Sequence, residues 1–267
     1  MESVSNKLKR TYIICATQRS GSTLLCSLLS NTNLAGKPKE FLISTLETVE
    51  EEPSIDLIGV IQSELTQRAS DNGVSGVKLM QNHFDILLRE LRRLYPDPSL
   101  SEIDLIGKVF PNVSFIFMTR EDKLRQAVSL SRAEYTDAWE KHHAGQAKRP
   151  SWLTQVTPFY LKTALRRVKD REQYWHDFFA RYPQNVIQLS YETLVQNQSE
   201  SLLQCLNYLG LEAQPNTPLE QTILKKQADV FTEFLIGYYH LYFALYHLLP
   251  EPIFALLRQF KHIFVAP

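Results

Sequence analysis

The chain has no excess of either charge: 29 lysines and arginines are matched by 29 aspartates and glutamates over 267 residues. A surface built to neutralise a polyanion carries a basic excess, so this balance argues against nucleic acid as a partner. Cysteine is scarce. Cys15, Cys26 and Cys205 sit inside apolar runs, without the paired spacing of a disulfide framework or a zinc site. They read as small core residues in a reducing compartment. The opening MESVSNKLKR has no apolar run ahead of the first strand, so export is not signalled and the cytoplasm is the expected location. What is present is an ordinary globular composition, 44% hydrophobic and 22% charged, with enough chain for one sizeable core.

The organising stretch is Tyr12 to Leu29. Tyr12, Ile13, Ile14, Cys15 and Ala16 form a short continuous apolar run, the pattern of a parallel strand covered on both faces. Gln18, Arg19, Ser20, Gly21, Ser22 and Thr23 follow, and Leu24, Leu25, Leu28 and Leu29 recur at helical spacing. A strand entering a helix through such a turn offers free backbone N–H groups to an anionic, phosphate-like group. The nucleotidase pattern G-x-x-x-x-G-K-[ST] is not met, since the turn has one glycine and no lysine before Ser22 and Thr23. Arg19 stands at the mouth instead, where its planar fork suits two oxygens of a phosphate or sulfate. On the local pattern alone, a turn capped by Ser20 or Ser22 is an equal reading.

The longer string separates the two. ATQRSGSTLL at residues 16–25 resembles the 5′-phosphosulfate loop of sulfotransferases, enzymes that use 3′-phosphoadenylyl sulfate. Gly36, Pro38, Glu40 and Phe41 match the Gly-x-Pro-x-Glu-Phe stretch of the trehalose 2-sulfotransferase-like branch, which includes lipopolysaccharide and nodulation-factor sulfotransferases. The resemblance covers about residues 10–235. It implies transfer of a sulfuryl group to a hydroxyl of a carbohydrate or glycolipid, with 3′,5′-ADP leaving and no metal required. It implies a cradle of Gln18, Arg19, Ser20, Gly21, Ser22 and Thr23, with Arg19 stabilising the leaving phosphate and Glu40 as general base. His83 is the next candidate for the base. A helix of about nine residues rises roughly 13 Å, whereas nine extended residues reach up to about 30 Å. The Asn-, Gly- and Pro-rich stretch from Asn31 to Glu40 is therefore long enough to return to the sheet edge.

Further along, Ile55 to Ala69 has helical spacing, and Val77 to Met80 reads as a second core strand carrying Lys78. That lysine is either a snorkelling surface residue or one placed beside the sulfuryl group. The acidic run Glu47 to Pro53 reads as a solvated loop or helix start. Ser114 to Thr119 is a buried strand ending at Arg120, and a helix begins directly after it. By the resemblance, Arg120 and Ser129 hold the donor's 3′-phosphate, with Ser131 as a competitor that points along the apolar stripe. Otherwise Arg120, Glu121 and Asp122 are a charged helix start. Residues 141–158 lack periodicity and are expected to contact the acceptor or a second subunit, with His142 and His143 as solvated loop residues. A long amphipathic helix from Leu161 to Tyr182 has a basic face of Arg166, Arg167, Lys169 and Arg171, expected to be solvated. Val186 to Tyr191 is another strand, and Tyr191-Glu192-Thr193-Leu194 matches a family segment read as scaffold. Lys226 stands where the family pattern has arginine in a basic-Gln-Ala-Asp stretch; it keeps the charge but not the bidentate fork.

Alternating strands and helices predict an α/β fold, a P-loop-like doubly wound parallel sheet flanked by helices. Residues 1–229 form the expected sulfotransferase domain. Residues 230–267 form an aromatic-rich helical segment, apolar nearly all round, for which core packing, a homodimer interface or peripheral contact with a membrane surface is open. Two rival functions use the same fold: a P-loop nucleotide-dependent kinase, which the missing lysine opposes, and a catalytically silent scaffold, which the intact turn and Glu40 oppose.

Overall fold

The computed structural model describes residues 8–52, 54–136, 158–219 and 230–248. Strands β1 (Arg10–Ala16), β2 (Val74–Met80), β3 (Ser114–Thr119) and β4 (Val186–Ser190) form a parallel sheet in the order β2-β1-β3-β4. The helices are α1 (Ser22–Asn31), α2 (Ile43–Glu51), α3 (Leu57–Gln67), α4 (Gln81–Leu94), α5 (Glu102–Gly107), α6 (Lys123–Thr136), α7 (Pro158–Arg181), α8 (Tyr191–Gln196), α9 (Gln198–Tyr208) and α10 (Val230–Leu248). From β1 the chain passes to one side to make β2 and then to the other to make β3. The order therefore reverses beside β1, the place where open α/β sheets bind ligands above their carboxyl ends. Ala16 pairs with both Met80 and Met118, so three strands finish level at that edge.

Period-two alternation explains why every residue from Tyr12 to Ala16 is apolar. Ile13 and Cys15 face a layer with Val77, Leu79, Phe115, Phe117, Phe84 and Trp175. Tyr12, Ile14 and Ala16 face the other, with Leu25, Leu28, Leu29, Ile116, Met118 and Leu206. Both faces are covered, as a parallel sheet requires. The acidic run after Glu47 lies mostly within α2, whose Leu46 and Val49 are buried. Its charges are the wet side of an amphipathic helix, which hides the period when the run is read alone.

The chain divides into two compact units, one of residues 1–121 and 171–224 and one of 122–170 and 225–267. The sheet belongs to the first. In the second, Val128, Leu161 and Leu235 form a small core. There Arg167 donates to both oxygens of Glu134 at 2.9 and 2.8 Å, and Tyr160 adds a hydrogen bond to the same carboxylate at 2.6 Å. Arg125 forks onto Glu233. The basic face of α7 is therefore not uniformly solvated, because Arg167 has a carboxylate within reach on α6. Nor is α10 buried all round. Leu235 is 2% exposed, whereas Phe234 and Leu241 are 61% and 59% exposed. Among the described residues no helix is long and apolar enough to cross a membrane.

Candidate active site

The turn from β1 into α1 is strained and carries no side-chain cap. Arg19 has φ 62° and Gly21 φ 89°, so two left-handed residues flank Ser20. A non-glycine residue in that region is uncommon and costs of order 1–3 kcal/mol, which points to a functional constraint. Gly21 is the N-cap of α1 and brings no side-chain cap. The N–H groups of Ser22 and Thr23 start the helix and have no intrahelical acceptor. Ser20 is fully buried, and its Oγ has no hydrogen-bond partner among the described residues. The alternative of a turn capped by Ser20 or Ser22 is thus not realised. Gly21 is also required for space: a Cβ there would lie 2.4 Å from Cδ2 of Tyr191.

Tyr191, read from sequence as scaffold, is the floor of the turn. The Arg120 guanidinium lies over its ring at 4.8 Å, an arrangement favourable to a cation. Arg120 also donates to the Arg19 carbonyl at 3.3 Å and lies 3.9 Å from Glu192, whose other oxygen accepts from the Glu121 N–H at 2.9 Å. Gln18 is held by Arg171, whose Nη1 donates to its Oε1 at 2.7 Å. Trp175 donates its indole N–H to the Ala16 carbonyl at 3.2 Å, fixing the last residue of β1 before the turn. Arg171 and Trp175 both come from α7. Sequence reading saw Arg171 only as part of a solvated basic face, and nothing local in the sequence marks a contact 153 residues away.

The segment carrying Glu40 does return to the sheet edge. It is sewn to the stretch that leads into β2: Asn72 donates to Leu34 O at 2.8 Å, Lys37 N–H to Arg68 O at 2.9 Å, and Lys78 N–H to Lys39 O at 3.0 Å. Tyr12 adds a phenol hydrogen bond to Ala35 O at 2.8 Å, and Gly36 N–H donates to Ser70 Oγ at 2.5 Å. Gly36 has φ 72°, and a Cβ on it would lie within 3 Å of two carbonyl oxygens, of Arg68 and Val74. No other residue fits there. At the end of this arm Glu40 Oε2 lies 3.2 Å from Lys78 Nζ, which donates to Thr23 Oγ1 at 3.0 Å. Of the two readings of Lys78, the surface one fails: its side chain is 7% exposed.

Structure thus brings Gln18 to Thr23, Glu40, Lys78 and Arg120 together on one edge of one unit. His83 is buried early in α4, with Nε2 3.3 Å from Glu47 and Nδ1 without a partner among the described residues. Neither hydrogen bond nor ion pair joins it to Glu40 among those residues. Ser129 lies in the second unit, partly exposed on α6. Its competitor Ser131 is fully buried and donates to the Ala127 carbonyl at 2.9 Å, so that hydroxyl is committed to its own helix. Lys226 and residues 141–157 lie outside the described residues. Cys26, in α1, is the thiol whose titration feels Lys78 and Glu40. Burial pushes it up to about 12, so it carries no thiolate at neutral pH.

Residues 11–240 match the family described as Stf0 sulphotransferase. The chain belongs to that family. Two trehalose 2-sulfotransferases are among its relatives. One, from Mycobacterium tuberculosis, is 28% identical over 232 residues, covering 75% of this chain and 84% of that one. The other, from Mycolicibacterium smegmatis, is 29% identical over 253 residues, covering 82% and 90%. Solved structures with a related outline include the sulfotransferase domain from the curacin biosynthetic pathway, at 15% identity and a TM-score of 0.44, covering 84% of this chain and 82% of that one. A sulfotransferase from Alicyclobacillus acidocaldarius aligns at 14% identity and a TM-score of 0.48, covering 86% and 91%.

Proposed function

We propose that this Stf0 sulfotransferase moves a sulfuryl group from 3′-phosphoadenylyl sulfate to a hydroxyl of a carbohydrate, free or lipid-linked, with Glu40 as the general base. The observation that carries the reading is the pairing of an uncapped, strained strand-to-helix turn at Arg19 to Thr23 with a carboxylate at the same sheet edge. The turn suits a nucleotide's phosphosulfate end: it has a buried hydroxyl without a partner among the described residues and a glycine where any Cβ would strike Tyr191. The bound donor supplies an activated sulfuryl group on a good leaving phosphate.

The chain's own residues do the rest. A sugar hydroxyl is a poor nucleophile until a positioned base removes its proton. Glu40 takes that proton as the new oxygen–sulfur bond forms, and the electron pair of the broken sulfur–oxygen bond goes to the 5′-phosphate of 3′,5′-ADP. Arg19 and the N–H groups of Ser22 and Thr23 stabilise the charge gathering on that phosphate, in an orientation fixed before reaction. Arg120, stacked on Tyr191, is assigned to the 3′-phosphate. A carbohydrate acceptor is supported by the two relatives that act on trehalose. The test is Glu40→Gln. It should fold and bind 3′,5′-ADP as the parent does, yet lose turnover by about two to four decades in a labelled-sulfate assay across free and lipid-linked sugars. Retained turnover would move the base elsewhere.

A further inference from the structure

The turn lacks the lysine that nucleotidase loops carry before their serine or threonine. An ammonium nevertheless reaches it, from the neighbouring strand. Lys78 sits in β2, where every residue is buried, and its Nζ is shared between Thr23 Oγ1 at 3.0 Å and Glu40 Oε2 at 3.2 Å. An ammonium has three donors and no acceptor, and so deep a cation persists only with partners. Here the two partners come from different parts of the site. Thr23 belongs to the first turn of α1, and Glu40 ends the arm that follows. The arm is already tied down by Asn72, Ser70, Arg68, Tyr12 and the Lys78 backbone N–H. Holding the arm does not require the Lys78 side chain.

We propose that Lys78 is a positioning residue: its ammonium fixes the Glu40 carboxylate in register with the donor cradle, so that base and cradle are assembled before either substrate arrives. This rests on the reading of Glu40 as the base. The lysine acts through that carboxylate and leaves nucleotide binding to the turn.

Steady-state kinetics with varied 3′-phosphoadenylyl sulfate test it, using the sugar that the parent protein sulfates fastest in a panel that includes trehalose. Lys78→Met should lower kcat about 100-fold, while donor KM and calorimetric affinity for 3′,5′-ADP stay within about threefold. Lys78→Arg, which keeps the charge, should recover about tenfold of that loss. The double variant Glu40→Gln/Lys78→Met should be no slower than Glu40→Gln alone, within about threefold, because the lysine has nothing left to position. A Lys78→Met kcat within about threefold of the parent would overturn the proposal. So would losses that multiply in the double variant, or 3′,5′-ADP affinity falling together with the melting temperature, the mark of a merely structural lysine. If the parent sulfates nothing, the sulfuryl-transfer reading fails; if Glu40→Gln is as fast as the parent, the base lies elsewhere; the inference falls with either. If Glu40→Gln is slow and Lys78→Met is not, the inference alone fails.

Discussion

Two turns leave the same edge of the sheet and are finished in opposite ways. Where β4 enters α8, Ser190 takes the N-cap and its hydroxyl accepts from the Thr193 N–H at 3.1 Å, so a first-turn donor is satisfied within the chain. Where β1 enters α1, the cap is a bare glycine, the adjacent serine hydroxyl is buried without a partner among the described residues, and an arginine sits at φ 62°. A capped turn gains about 1 kcal/mol from its side chain. An uncapped, strained one forgoes that, and among the described residues the Ser20 hydroxyl beside it is left without a partner. If the nucleotide binds where we propose, folding and binding fall to different turns of one sheet, and mutation can separate them.

The largest effect should come from Gly21→Ala. Its Cβ meets the Tyr191 ring in a left-handed backbone, so stability should fall by about 2–4 kcal/mol and 3′,5′-ADP binding with it. Denaturant unfolding with calorimetry measures both; an unperturbed variant would mean that the turn is looser than described. Arg19→Gly should split the two properties. Relief of the left-handed strain offsets the added freedom of the unfolded glycine, so stability should change by less than about 1 kcal/mol. Affinity for 3′,5′-ADP should drop about 10–100-fold with the loss of a charged donor. Ser190→Ala is the converse: about 1 kcal/mol of stability lost and nucleotide affinity unchanged. If it weakened binding as Arg19→Gly does, the contrast between the turns would be lost.

The smallest effect concerns the thiols. Burial raises Cys26 and Cys205 from the ordinary 9.0 to about 12. Below pH 9.0 they are protonated both folded and unfolded and add no pH dependence. Between that value and about 12 the unfolded chain ionises first, so their contribution to stability should decline as pH rises. An alkaline titration of the melting temperature follows the decline. All three cysteines should resist a thiol reagent at pH 8 until the chain is unfolded.

What sequence reading reached was local. The apolar run at residues 12–16, the Gly/Ser turn and the leucine spacing of α1 follow from short-range periodicity, and Glu40 was within reach by chain length alone. The long-range partners were not legible. Arg171 on Gln18, Trp175 on Ala16 and Tyr191 beneath Gly21 each join segments more than 150 residues apart in sequence, and no periodicity encodes such meetings. Tyr191 had a signal in its Tyr-Glu-x-Leu segment, but strand-end aromatics read as scaffold when their neighbours are unseen. Lys78 keeps two readings from sequence because a lysine in an apolar strand does not say which way its head emerges. The apolar richness of α10 leaves core packing, a homodimer interface and membrane-surface contact open from sequence, and in the structure Leu235 is buried whereas Phe234 and Leu241 are exposed.

Gly36 has a consequence for how such a chain diverges. With no room for a Cβ between the Arg68 and Val74 carbonyls, Gly36 pins the stretch from Leu34 to Glu40 to a set register. One inserted or deleted residue there would carry the carboxylate off the sheet edge. Length, rather than residue identity, is then the property of this arm least open to change.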